Sequence, residues 1–346
     1  MKILVRATNW VGDAVMSIPA LEAIRRARPG AEITILARPW VAALYRGQPF
    51  ADRIIEFDST GRDRGLLAIE RVARSLRREK FDCAILLQNA FQAAWLAWRA
   101  RIPERTGYAR DGRSWLLTRA IRVPKHGEIP LHEAYYYLEL LRRAEWTDRL
   151  PVLEPIRLRV DPAAIERADS RLREAGAPAG TIRIAIAPGA AFGSAKCWEL
   201  DRYAALADRL IADFGASVIL FGTASEREVA ERIAALMRFH AVNLAGKTPV
   251  GELPALFAAC NLFVGNDSGA MHVAAAVGLP VVAIFGSTDP EGTAPVTPQR
   301  ILVQQRVSCS PCFLRHCPVD HRCMTRVTVD AVYAAARAWM EQLARV

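Results

Sequence analysis

Three polar stretches, each lying between an apolar run and a helical one, hold the side chains of this 346-residue chain best suited to chemistry. Gly12-Asp13 follows the run Lys2–Ala7. A carboxylate at the carboxyl edge of a strand can take a proton from a substrate hydroxyl, and the amino end of a helix keeps it ionised. The position equally suits an ordinary first-turn acid. Pro188–Lys196 follows Ile182–Ala187 and is a Gly/Ala/Ser loop with one lysine. Lys196 can meet a phosphate as a point charge, or stand solvated. Asn266-Asp267-Ser268-Gly269 separates Leu262–Val264 from the small-residue helix Ala270–Val277. Such a loop turns backbone N–H groups towards the crevice above a sheet, where phosphates are held, and His272 lies within reach. Here too there is a plain alternative: Asp267 and Ser268 as helix caps, and His272 as a core residue.

Two further groups are less specific. Glu226 ends the run Ser217–Phe221 and suits either ribose hydroxyls or a helix cap. Cys309, Cys312, Cys317 and Cys323, with His316 and His321 among them, offer a possible structural zinc site, an oxidisable cluster or free thiols. Their spacing is not that of paired CxxC sites. The first loop is not GxGxxG, the lysine loop is not GxxxxGK[ST], and His132-Glu133 lacks the second histidine of HExxH. Dinucleotide, P-loop and zinc-protease chemistry are therefore disfavoured.

The elements that must position these residues alternate. Strands are expected at Lys2–Ala7, Glu32–Leu36, Arg53–Phe57 and Phe81–Leu87, with helices at Ala14–Ala27, Val41–Tyr45 and Leu66–Arg78. Residues 88–124 read as irregular, with Trp95, Trp98, Tyr108 and Trp115 interleaved with arginines, and with Ala93–Arg101 able to form an Arg-edged amphipathic helix. After a Pro-rich linker, Leu150–Pro162, the βα alternation resumes. The expected class is α/β, with two Rossmann-like doubly wound parallel-sheet domains facing a cleft.

Composition bounds the partners. The chain carries a formal charge of +10, and residues 1–150 hold 26 Lys+Arg against 17 Asp+Glu, a net of +9. An anionic partner is expected there: nucleic acid, an anionic membrane surface, or a phosphorylated or carboxylated substrate. No apolar run reaches the ~18 residues of a membrane span, and the N-terminus turns polar too early for a secretory signal, so a cytoplasmic location with reduced cysteines is expected.

Taken together, NWVGDAVMSIPAL, PGAAFGSAKCW, GNDSGAMHVAAAVGLPVVAIFGSTDP and the CSPC…CP…C tail resemble the ADP-heptose:lipopolysaccharide heptosyltransferases of glycosyltransferase family 9, and most of all its type II members. The resemblance covers nearly the whole chain. It implies a GT-B fold with an acceptor-binding domain at 1–156, an ADP-heptose-binding domain at 157–327, and a C-terminal helix, 328–346, packing back on the first domain. It implies an inverting transfer needing no cofactor or metal, from ADP-L-glycero-D-manno-heptose to the heptosyl-Kdo2-lipid A inner core. By this similarity Asp13 is the general base and Lys196 neutralises the diphosphate. Ser194, Glu226, Asp267, Ser268, Gly269 and His272 line the donor site. Gly12, Arg62, Arg64, Arg110 and Arg113 are acceptor-side candidates. Type I members, which act on Kdo2-lipid A, often have threonines ahead of the lysine. Here Ala191-Phe192 stands there, which favours type II and leaves phosphate contacts to backbone or Ser194. The expected setting is the cytoplasmic face of the inner membrane, bound peripherally, with no nucleic acid. Type I transfer to Kdo2-lipid A, a GT-B-like sugar-nucleotide epimerase and a nucleotide- or nucleic-acid-binding protein remain the alternatives.

Overall fold

The structure, a computed structural model, describes residues 1–343. Short runs rich in Val, Ile and Leu, bounded by turn residues, form twelve strands among them. The first six are β1 (Lys2–Arg6), β2 (Glu32–Ala37), β3 (Arg53–Glu56), β4 (Cys83–Leu86), β5 (Glu104–Tyr108) and β6 (Arg119–Ile121). They lie in the order β3-β2-β1-β4-β5-β6, with every pair parallel. The next six are β7 (Arg183–Ala187), β8 (Ser217–Leu220), β9 (Val242–Asn243), β10 (Leu262–Asn266), β11 (Val281–Phe285) and β12 (Arg300–Gln304). Their order is β12-β11-β10-β7-β8-β9, again all parallel. Both sheets thus repeat one doubly wound order, which reverses direction beside its first strand and opens a crevice there. β7, β10 and β11 are buried along their whole length. That is why they read as unbroken apolar runs rather than as alternations.

The chain divides into two compact units, Met1–Leu153 and Glu154–Val346. The division falls three residues before the expected end of the first domain at 156. The extended linker already belongs to the second unit, because the amides of Ile156 and Leu158 donate to Val296 O and Ala276 O at 3.0 and 2.9 Å. The last helix, Val329–Leu343, falls within the expected segment 328–346. It lies against the helix Leu200–Phe214 and strands β10, β11 and β12, and Val332, Ala336 and Met340 are buried in that unit's core. Residues 344–346 of the expected segment lie outside the described residues.

Two local expectations also change. The helix expected over Ala14–Ala27 begins at Val11 and is two helices, Val11–Met16 and Ile18–Ala27, meeting at Ser17. Pro19 has no N–H for the preceding turn and its ring crowds it, so the second helix starts anew with the proline in its first turn. The stretch 88–124 is regular after all: it contains the helix Phe91–Arg99 and strands β5 and β6. Among the described residues no helix is long and apolar enough to cross a membrane.

Candidate functional site

In the first unit, β1 is central, and its exit loop carries Gly12 and Asp13 into the first turn of Val11–Met16. The loop is pinned from below. Arg6 is buried, donating to Ala7 O (2.7 Å), Leu36 O (3.2 Å) and Asn9 Oδ1 (2.9 Å), while Trp40 Nε1 donates to Asn9 O at 2.7 Å. Burial, with the nearby Arg38 charge, draws the Arg6 guanidinium down to about 9. Tyr45 OH and Ser17 Oγ both donate to Ala14 O, at 2.7 and 2.9 Å, fixing the turn that follows Asp13.

The half-buried Asp13 has titratable company that its sequence neighbourhood does not announce. Val11–Met16 packs on the helix Glu133–Arg143, whose cap is His132, with its Nδ1 accepting the Ala134 N–H at 3.2 Å. Burial first, then the Asp13 charge, pushes the Glu133 carboxyl up to about 7. Tyr137 and Tyr45 are raised by burial and by the same charge. Glu133 and Tyr137 lie four residues apart, on one helix face. The only sequence signal here was His132-Glu133, read for a zinc motif.

The acceptor-side arginines divide. Arg113 is fully buried and does not reach a surface. Its guanidinium donates to Tyr108 O (3.1 Å), Asn89 Oδ1 (3.1 Å) and Gln88 O, and burial lowers it to about 10. It joins β5 to the exit of β4, a structural task. Arg62 is exposed and paired with Glu56 and Asp63, and Arg64 is exposed. Arg110 lies against Tyr136 OH at 3.5 Å and against Asp111.

In the second unit the strands adjoining the reversal point, β7 and β10, bring two of the sequence motifs together. Lys196 Nζ donates to Asp267 Oδ2 at 2.6 Å; the Asp267 side chain is buried, 4% exposed, and that of Lys196 is partly buried, 12% exposed. The same carboxylate oxygen accepts from Thr288 Oγ1 at 2.7 Å and Thr293 Oγ1 at 3.3 Å. These threonines, at the exit of β11, were missed; polar residues at the carboxyl end of a buried strand are the signal that points to them. Asn266 braces the site, its Nδ2 on Pro188 O (2.5 Å) and its Oδ1 accepting from Trp198 N (3.1 Å) and Tyr203 OH (2.9 Å). Ser268 caps Gly269–Ala276 by accepting the Met271 N–H at 3.4 Å, and His272 is buried in that helix. Lys196 Nζ also stands 4.9 Å from the Phe192 ring centre, with Arg315 at 5.3 Å from the same ring.

Glu226 closes a capping box: its Oε2 accepts from Thr223 N (2.7 Å) and Thr223 Oγ1 (2.9 Å). It also abuts the β7 exit, where a Cβ on Gly189 would lie 1.9 Å from Glu226 Oε1.

The cysteine tail folds onto the lysine loop. Ala195 N donates to Arg315 O at 3.0 Å, His321 Nε2 meets Ala195 O at 3.0 Å, and Ser194 Oγ meets His316 Nδ1 at 3.0 Å. Cys309, Cys312, Cys317 and Cys323 line one cavity of about 190 Å³. Among the described residues no three His, Cys, Asp or Glu side chains are arranged to hold a metal ion, so of the three possibilities the sequence left open the zinc geometry is not formed. The thiols are free, and burial raises Cys323, with the other three cysteines adding to the shift.

Comparison with known proteins gives this geometry its context. The sequence model of glycosyltransferase family 9 (heptosyltransferase) matches residues 69–322. Lipooligosaccharide heptosyltransferase 2 of Haemophilus influenzae is 34% identical over 313 residues, 88% of each chain. Lipopolysaccharide heptosyltransferase 2 of Escherichia coli is 33% identical over 308 residues, 86% of each chain. The solved structure of E. coli ADP-heptose lps heptosyltransferase II superposes with a TM-score of 0.84 at 30% identity, covering 99% of both chains.

Proposed function

This chain belongs to glycosyltransferase family 9, and from that premise we propose that it transfers L-glycero-D-manno-heptose from ADP-heptose to the first heptose of the lipopolysaccharide inner core. The observation that carries this reading is the likeness to heptosyltransferase 2 proteins of two organisms over almost the whole chain. The acceptor is lipid-anchored, so the enzyme works peripherally at the cytoplasmic face of the inner membrane.

On this reading Asp13 takes the proton of the acceptor hydroxyl as its oxygen attacks the anomeric carbon. The bond from that carbon to the diphosphate oxygen breaks on the opposite face, the configuration inverts, and ADP leaves with the electron pair. Lys196 and the amides opening Gly269–Ala276 receive the developing charge, so no metal is required. Asp267 holds Lys196 by an ion pair, and Ser268 and Asn266 hold the turn that presents those amides. Glu226 borders the β7 exit and contributes through Gly189.

The test is ADP release with purified Kdo2-lipid A acceptors that do or do not carry one heptose. Release with the heptosylated acceptor is expected. Asp13→Asn should bind ADP-heptose but turn over ~10²–10⁴-fold more slowly. Release with the unheptosylated acceptor alone, or normal turnover by Asp13→Asn, refutes the corresponding assignment.

A further inference from the structure

The first unit exposes a run of large apolar side chains that its own folding leaves uncovered. Phe91, Trp98 and Trp115 are 42%, 41% and 67% exposed, and their rings form one cluster. Trp115 stands 6.3 Å from Phe91 and 6.2 Å from Trp98, centre to centre. The cluster continues across the helix Phe91–Arg99 to its neighbour Leu66–Arg78. There Arg99, 5.8 Å from the Trp98 ring, pairs with both oxygens of Glu70 at 3.0 and 2.9 Å. Glu70 lies one helical turn from Leu66 and Leu67, which are 79% and 86% exposed. Single exposed apolar residues are ordinary, but three rings in one cluster, with two exposed leucines on the neighbouring helix, mark an interaction surface.

Charge identifies the partner. Residues 62–119, the stretch that carries these side chains, hold 13 Lys+Arg, of which Arg113 is buried, against 6 Asp+Glu, a net of +7 in a chain whose total is +10. Tryptophans among arginines suit the boundary between lipid headgroups and acyl chains: the indoles enter the apolar edge and the guanidinium groups meet lipid phosphates. A second protein chain would cover the apolar strip but gives no reason for the cationic surround.

We infer that the strip formed by Leu66, Leu67, Phe91, Trp98 and Trp115 docks on an anionic lipid bilayer. The inference rests on the proposed reading, in which the acceptor is anchored in such a bilayer, and it adds which surface makes the contact.

The experiment uses the full chain with two kinds of vesicle: phosphatidylglycerol with phosphatidylethanolamine, and pure phosphatidylcholine. Wild type should co-sediment with the anionic vesicles only, and less as salt rises. Trp98→Ser/Trp115→Ser should reduce that binding at least tenfold. Leu66→Ser/Leu67→Ser, at positions too exposed to disturb folding, should reduce it severalfold. Both variants should release ADP normally with detergent-solubilised acceptor and at least fivefold more slowly with acceptor embedded in vesicles. Wild type that ignores anionic vesicles, variants that bind them as wild type does, or a gel-filtration dimer that the variants dissolve would each overturn the inference. Absence of ADP release from wild type with any acceptor would instead refute the transferase reading, because vesicle binding is scored without acceptor.

Discussion

Removing Lys196 should damage the second unit before any substrate arrives, by an amount the structure bounds. Lys196→Met leaves the Asp267 carboxylate 4% exposed with only the hydroxyls of Thr288 and Thr293 upon it. Breaking a buried pair by deleting one partner costs roughly 3–5 kcal/mol, and the two surviving hydroxyl bonds keep the loss towards the lower end, about 2–4 kcal/mol. For a unit of this size each kcal/mol shifts Tm by roughly 2–4 °C, so a fall of about 5–15 °C is expected. Asp267→Asn added to Lys196→Met removes the stranded charge and should recover most of that fall. The assay is thermal unfolding of wild type, both single variants and the double variant, read as a cycle. A coupling energy above ~1.5 kcal/mol is expected. The same proteins, assayed for ADP release well below their melting points, should show Lys196→Met slowed by ~10²–10³-fold, as loss of one oxyanion donor does. The double variant should regain stability but not rate. A Lys196→Met protein that melts with wild type, and whose effect simply adds to that of Asp267→Asn, would refute the buried pair and the argument built on it.

Three other outcomes follow from particular contacts. Glu133 holds its proton up to about pH 7 in the folded protein, above the usual carboxylate value of 4.5. The native state therefore binds the extra proton between those values, and stability is lost as pH rises through that window. Glu133→Gln should match wild type at pH 4 and exceed it by roughly 2–3 kcal/mol at pH 8 in urea unfolding; parallel pH curves would count against it. Gly193→Ala would put a Cβ 2.3 Å from Arg315 O, so the tail must leave the lysine loop; a raised KM for the donor is expected, and an unchanged KM would show that the clasp is idle. Arg113→Met strands Gln88 O and Asn89 Oδ1, while Tyr108 O keeps the Arg110 N–H, costing roughly 2–4 kcal/mol, whereas Arg62→Ala and Arg64→Ala should stay within about 0.5 kcal/mol. Equal effects on unfolding from all three would contradict their different burial.

What the sequence made legible was whatever is local along the chain. A strand, its exit loop and the next helix are contiguous, so Asp13, Lys196 and Asp267 could be placed at strand ends from apolar runs and turn residues alone. β5 escaped because Glu104–Tyr108 is half polar, and β6 because an edge strand of three residues leaves no run to detect. The helix break at Ser17 was available in Pro19 but was outweighed by the amphipathic pattern around it. Contacts across long separations left no trace. Lys196 and Asp267 are 71 residues apart, and Arg113 is 25 residues from the carbonyl of Gln88, so an ion pair and a buried brace both looked like loop charges. Glu226 is the instructive middle case. Thr223-x-x-Glu226 is a capping pattern readable from the sequence, but its contact with Gly189 of β7 is not.

The two half-sites solve opposite electrostatic problems, and the sequence motifs reflect that. Around Asp13 the first unit gathers groups whose neutral forms are favoured: Glu133, Tyr45 and Tyr137 are each driven towards those forms by burial, and the Asp13 charge drives them further. A carboxylate in such company is not quenched by these neighbours, which suits a group proposed to accept a proton. Around Lys196 the second unit does the reverse. It supplies the lysine with a buried counter-charge and gives that counter-charge two hydroxyl donors of its own. An ammonium held this way keeps its place without drifting into solvent, which suits a group proposed to meet a diphosphate. Each turn is held from within its own unit: the lysine loop by Arg315, His316 and His321, more than a hundred residues further along the chain, and the Asp13 turn by the Tyr45 and Ser17 hydroxyls on Ala14 O.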